Sequence, residues 1–402
     1  MIRNLPVTFL TTFGHCGIDW VHSLLNSNSQ ILITPAFSYF RVFEKLKLSR
    51  IEDKNIIFEI LKDYFTNKVG PKSINNQKKF LNTEYELENF LTLIRIKVND
   101  CNSITVVDFF WIIHECYAEI KNIDIKTIKT IVSHEHLPWH FEKIINKFPS
   151  ARIMFVMRDP RASIAGLFHG RKKYFGFLPD YTFNETFEIW MHAQEMYFKY
   201  QKKLGDNLLV LKNESMHENL KVELLRIVKW LNVDYSDNML IGTYSDGNKT
   251  NPDSLYTDTT NINFNYDEYY LPENIKARWE LELKDTNLTI IIEALLFRVM
   301  HVFNYKLVNN RPNFIRKFQI VIFFLIPNIT LKNEWREKYP NLDEFRKVDV
   351  ILNKFFFSLF APFWKYCPNT IKYFLVYFRS IFSRIRIIFF PGKRYNRYNE
   401  LG

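Results

Sequence analysis

The sequence predicts an α/β layer fold, with a central, mainly parallel sheet flanked by helices and a helical C-terminal extension. Three observations carry this. Short β-rich runs alternate with longer stretches of helical apolar spacing, the pattern of helices packed on both faces of a parallel sheet. The turns at 14–17 and 158–160 both close apolar runs that read as strands, and parallel sheets bind ligands beyond the carboxyl ends of their strands. The length, 402 residues with 47% hydrophobic side chains, is ample for one large core with an appendage.

Residues 6–13 (PVTFLTTF) are rich in β-branched and aromatic side chains and stop at Gly14, so they read as a first strand. The apolar run is short and broken by Thr8, Thr11 and Thr12, which suits a strand better than a signal peptide. Residues 18–27 (IDWVHSLLNS) place apolar side chains at helical spacing, and 31–33 (ILI) form a short strand ended by Pro35. The stretches 41–69 and 78–101 read as largely helical, and 104–110 (ITVVDFF) and 129–132 (KTIV) as strands. A helix over 139–148, a turn at Pro149–Ser150 and a buried strand at 152–157 (RIMFVM) follow. Arg158–Asp159–Pro160 closes that strand and 161–169 begins a helix. Residues 208–212 (LLVLK) make a last strand, with helices at 218–231 and 287–303. The expected division is a domain over 1–310 and an aromatic, basic extension over 311–402.

The net charge of +11 favours anionic partners. No nucleic-acid-binding module is recognisable, so nucleic acid is not expected. The four cysteines, Cys16, Cys101, Cys116 and Cys367, show no CxxC pair and no metal-ligand spacing. Free thiols in a reducing, cytoplasmic compartment and no metal site are the expectation. No run of ~18 apolar residues predicts a transmembrane helix. In the tail, Lys372, Arg379, Ser383 and Arg386 share one helical face, while Phe374, Leu375, Phe378, Ile381, Phe382 and Ile385 cover much of the rest. With Lys393, Arg394 and Arg397, the segment 371–397 is basic and amphipathic. It suits packing on its own domain or a second subunit, or peripheral attachment to an anionic membrane surface on the inner face.

Gly14 and Gly17, three apart between a strand and a helix, let backbone N–H groups converge beside a positive helix end. That is the recipe for a phosphate cradle, although the glycines alone fit a plain tight turn equally well. A Walker loop needs Lys and Ser/Thr after its last glycine, and Gly17 is followed by Ile18 and Asp19. Arg158 offers a fork of donors matched to phosphate oxygens, with Pro160 setting a helix start just beyond it. The plainer reading of Arg158 is a salt bridge with Asp159 or elsewhere.

Ordered along the chain, these segments resemble the sulfotransferases that use 3′-phosphoadenosine 5′-phosphosulfate (PAPS). GHCGIDWVHSLLNSNSQILITPAF resembles their phosphosulfate loop, helix and next strand, with Trp20, Leu24–Leu25, Gln30–Ile31 and Pro35 at the expected places. FPSARIMFVMRDPRASIAGLF resembles the strand that ends in the 3′-phosphate-binding Arg, and His136–Leu137–Pro138 matches a Thr–His–Leu–Pro segment carrying the catalytic base. LLVLKNESMHENL and the helices ending at Asn304–Tyr305 resemble later family segments, so the likeness runs from about residue 6 to 307.

The resemblance implies a three-layer, P-loop-like fold and in-line transfer of a sulfuryl group from PAPS, without a metal, to a hydroxyl or amine. A small-molecule or glycan acceptor is expected, with a carbohydrate or glycolipid hydroxyl as the first choice. It implies that Gly14, His15, Cys16, Gly17, Ile18, Asp19 and Trp20 hold the phosphosulfate and that Arg158 holds the 3′-phosphate. His136 is the implied base, with His134 and Glu135 as substitutes. His15 stands where relatives carry a basic residue and would stabilise charge on the leaving phosphate. Ile18 and Asp19 stand where they carry hydroxyls, so Asp19 is left to cap the helix or to meet the acceptor. Many relatives add a Ser eight residues after the Arg. Here that position is Gly166, and Ser163 is the nearest hydroxyl. The rival readings are a small-molecule kinase and a non-catalytic binding or scaffold protein that kept the fold. Asp19 and Gly166 favour the latter.

Overall fold

A computed structural model describes residues 2–35, 37–71, 80–135, 138–175, 180–241 and 286–308, with a few further positions within 279–283 and 381–389. They belong to two compact units, one drawn from Met1–Arg158 and Met196–Pro272, the other from Asp159–Glu195 and Glu273–Lys393.

The first unit holds a five-stranded sheet. Its strands are β1 (Val7–Thr12), β2 (Ile31–Ile33), β3 (Thr130–His134), β4 (Arg152–Met157) and β5 (Leu208–Lys212), in spatial order β2-β3-β1-β4-β5. Every pairing is parallel. All six residues of β1 are buried, as a central strand covered on both faces requires. The chain leaves β1 for the distant β2, returns through β3, and crosses to β4 and β5. Neighbouring β1 and β4 therefore lead off in opposite directions, and a crevice opens beyond their carboxyl ends. Thr12 is in register with Val156, which brings the turn after β1 beside the end of β4.

The helices of this unit begin with α1 (Ile18–Asn26), α2 (Tyr39–Lys45), α3 (Lys54–Asn67) and α4 (Glu84–Asn99). The helical stretch expected over 41–69 is interrupted where Lys47 takes a left-handed φ of 56° before a 3-10 turn at Leu48–Arg50. The strand expected at 104–110 is instead the start of α5 (Val106–Ile120). Thr105 Oγ1 accepts from the Asp108 N–H while the Asp108 carboxylate accepts from the Thr105 N–H, closing a capping box. Ten of its fifteen residues are buried, and among them 106, 109, 110, 113, 116 and 117 follow helical spacing. Five residues of VVDFF look like a strand; fifteen residues carry the helical period.

In chain order next come α6 (Phe141–Lys147) of this unit, α7 (Pro160–Phe175) of the second unit, α8 (Asp180–Leu204), whose residues divide between the two, and α9 (Asn213–Glu218) and α10 (Leu220–Leu231) of the first. A break at Asn219, outside helical φ/ψ, separates the last two. Phenylalanine joins helices to sheet. Phe9 of β1 meets Phe40, Phe110 and Phe148 with ring centroids 5.2–6.2 Å apart. Phe13 lies 4.5 Å from Phe155 and 5.8 Å from Tyr197. Each fully buried ring contributes roughly 1.5–3 kcal/mol.

The second unit contains α7, α11 (Thr286–Leu295) and α12 (Phe297–Val302). Its Arg161 is 4% exposed, bonds both Asp159 and Glu293 at 2.7 Å, and lies 4.2 Å from the centre of the Trp279 ring. In the tail, the described positions between 381 and 389 are helical. Arg384 and Ile387 are buried, while Phe382 and Phe389 are exposed. Lys372, Arg379, Ser383 and Arg386 lie outside the described residues. No described helix is long and apolar enough to cross a membrane.

Candidate active site

The turn after β1 is built on left-handed backbone: φ is 110° at Gly14, 49° at His15 and 85° at Gly17. A side hydroxyl ties it to the next strand. Thr12 Oγ1 donates to the Val156 carbonyl at 3.1 Å and accepts from the Gly14 N–H at 3.2 Å. A Cβ on Gly17 would collide with the amide nitrogen of Asn213, the first residue of α9. The turn is thus braced by the ends of β4 and β5 together.

The seven turn residues divide by role. Cys16 is fully buried with its thiol on the Gly14 carbonyl at 3.0 Å, and burial pushes that thiol up to about 12. It is a packing group, not a nucleophile. Ile18 is 2% exposed and belongs to the core. These two can offer an anion only backbone. His15 is partly exposed. The Trp20 ring stacks on His217 of α9, with centroids 4.1 Å apart and planes 15° apart. Burial first, and then the nearby Arg158 charge, press the His217 pKa down to about 3, so this imidazole is neutral.

Arg158 stands at the carboxyl end of β4, partly buried. Its Nε is shielded from solvent and has no hydrogen-bond partner among the described residues. The next carboxylate in the chain, Asp159, accepts from Arg161 through both oxygens. Leaving a buried donor unmet costs about 1–3 kcal/mol, and a phosphate oxygen would meet it. Ser163 is 1% exposed in the first turn of α7, where its N–H donates to the Asp159 carbonyl at 2.9 Å.

On the other flank, β3 delivers His134 and Glu135. His134 is 1% exposed; its Nε2 lies 3.9 Å from Asp19 Oδ1, and its Nδ1 lies 3.1 Å from His22 Nδ1. Glu135 is fully buried, and burial raises its carboxyl to about 7 despite bonds from Ser38 Oγ at 2.5 Å and the Phe40 N–H at 3.4 Å. His136 lies outside the described residues. His140 stacks on Phe40, a packing role.

Sequence reasoning missed Thr12, His22, Asn213 and His217. The signal for Asn213 was present, since it follows an apolar strand as Arg158 does. His22 lies one helical turn beyond Asp19, a spacing that puts both on one face of α1.

Among solved structures, the sulfotransferase domain from the Synechococcus PCC 7002 olefin synthase is similar at 13% identity, over 75% of this chain and 95% of that one, with a TM-score of 0.47. The sulfotransferase domain from the curacin biosynthetic pathway is similar at 11% identity, over 75% and 99%, with a TM-score of 0.48. A Mycobacterium avium sulfotransferase is similar at 10% identity, over 76% and 78%, with a TM-score of 0.36. Among curated proteins none matches the sequence. The family model described as the sulfotransferase domain matches residues 5–291, a span that takes in all five strands, the left-handed turn and Arg158, and the chain belongs to the sulfotransferase family.

Proposed function

We propose that this chain transfers a sulfuryl group from PAPS to a hydroxyl-bearing acceptor, by in-line displacement at sulfur. The observation that carries the reading is Arg158: a guanidinium at a strand end whose buried Nε lacks a partner, one strand from a turn with three left-handed residues. That arrangement suits a ligand with two separated anionic groups. Arg158 would take the 3′-phosphate bidentately, and the backbone of 14–17 with the start of α1 would take the phosphosulfate end. When bound, PAPS supplies the activated sulfuryl group.

The chain's own residues do the rest. His15 and the N-terminal dipole of α1 oppose the negative charge that grows on the leaving phosphate. His136, two residues beyond the end of β3, would accept the acceptor's proton; Glu135, held near neutral pH by burial, is within the same strand end. Trp20, fixed by its stack on neutral His217, would wall the turn without adding charge. A carbohydrate or glycolipid hydroxyl remains the acceptor class proposed.

Calorimetry with PAPS, its desulfated product PAP, and ATP tests the donor. PAP and PAPS should bind and ATP should bind far more weakly. Arg158→Ala should lose at least about tenfold in PAP affinity, the scale of one charged hydrogen bond. Unchanged affinity would remove Arg158 from the site. Labelled PAPS with fractionated extract would then identify the acceptor.

A further inference from the structure

Asp19 places a carboxylate in the first turn of the helix that closes the donor turn. Like charges there repel the donor unless a cation offsets Asp19. A described neighbour able to do so is His134, with Nε2 at 3.9 Å from the carboxylate. His134 is not a lone imidazole. Its Nδ1 faces the Nδ1 of His22 at 3.1 Å, so one ring must hold a proton there and the other a lone pair. A second ring proton makes one imidazolium shared by two buried rings. His22 sits on the same helix as Asp19 and His134 at the end of β3, so the three groups bridge the two elements that flank the turn.

Resting on the donor reading above, we propose that His134 and His22 act as one positioning pair that takes up a proton when the anionic end of the donor enters the turn, and that this imidazolium allows Asp19 to remain beside it. The proton comes from solvent, and no bond to sulfur is involved. Among the described residues, the charged and titratable groups near the pair include Asp19 on α1, His15 in the turn before it, and Glu135 next to His134, whose carboxyl is directed at Ser38 and the Phe40 N–H. From β1 the register partner of His134 is Leu10, which carries no charge. Across the turn, His217 stays neutral and Arg158 is the fixed cation.

The test is calorimetry of PAP binding to the full chain at about pH 8 in buffers of different ionisation enthalpy, which counts protons taken up. Wild type should take up close to one proton per PAP, and PAP affinity should fall roughly tenfold per pH unit above neutrality. His134→Gln should abolish most of the uptake and flatten that dependence, and His22→Gln should do the same. Thermal melts verify that each variant is folded. A wild-type spectrum of nitrogen-labelled histidines should show the shared signals of His22 and His134 moving to the charged form on adding PAP, which needs no variant. Binding of PAP without proton uptake, or uptake that survives His134→Gln, would overturn the proposal while leaving the donor reading intact. No binding of PAP by wild type would remove both.

Discussion

A Cβ built on Gly17 would run into the side-chain amide of Asn213, which places the first residue after β5 hard against the backbone of the donor turn. Gly17 also has a φ of 85°, where an L side chain is strained. Gly17→Ala should therefore lose roughly 1–2 kcal/mol of stability, chiefly from the left-handed backbone, with a smaller part from displacing the Asn213 amide. It should also abolish PAP binding. Denaturant unfolding and calorimetry on the same preparation check this. Asn213→Gly in the same chain should recover part of the loss, the part due to the collision.

Arg158 and Arg161 are three residues apart and should behave oppositely. Arg161 is buried against Asp159 and Glu293, so Arg161→Ala takes a bonded cation away from two carboxylates. It should cost about 3–5 kcal/mol. Arg158 has no ion pair among the described residues, and Arg158→Ala should leave stability within about 1 kcal/mol of wild type while weakening PAP. Equal losses of stability in the two variants would contradict this division.

Glu135 should make stability fall with rising pH. Burial raises its carboxyl from the ordinary 4.5 to about 7 in the folded chain. The folded state therefore prefers the protonated acid, and the preference is fully present below the unfolded value. It is lost as pH rises through about 7. Glu135→Gln, which keeps the shape and stays neutral, should gain stability over wild type across that window, by an amount on the order of 3 kcal/mol at its upper end. Melts at a series of pH values read it. A constant difference between the two proteins at all pH values would mean Glu135 does not titrate there.

Gly166 lies inside α7, and a Cβ there would meet no atom within 4 Å. Gly166→Ala should stabilise the chain by about 0.5–1 kcal/mol, because the unfolded chain loses freedom and no contact is strained. A destabilised variant would show that the space is needed.

Much of the fold was legible in sequence because its signals are local. Gly14 after a β-rich run, helical spacing from Ile18, and Arg158–Asp159–Pro160 after RIMFVM each lie within a few residues, and all three stand where expected. Residues 104–110 misled because VVDFF is short enough to suit either period, and the Thr105–Asp108 capping box outweighed strand propensity. The site was legible only in part. Cys16 and Ile18 sit in the loop motif, yet their side chains turn into the core. No spacing rule shows which residue of a tight turn faces inward.

The donor turn itself was readable from Gly14 to Trp20, since strand, left-handed glycines and helix are contiguous in the chain. Its supports were not. The brace from Asn213, the stack of Trp20 on His217 and the pairing of His134 with His22 join residues about 110–200 positions apart. They meet because β1 lies between β3 and β4, with β5 beyond, and every strand runs the same way. Sequence determined the backbone chemistry of the turn. Only the order of parallel strands decided which side chains from four strand ends would stand around it, because strand order is set by long-range packing and leaves no local mark.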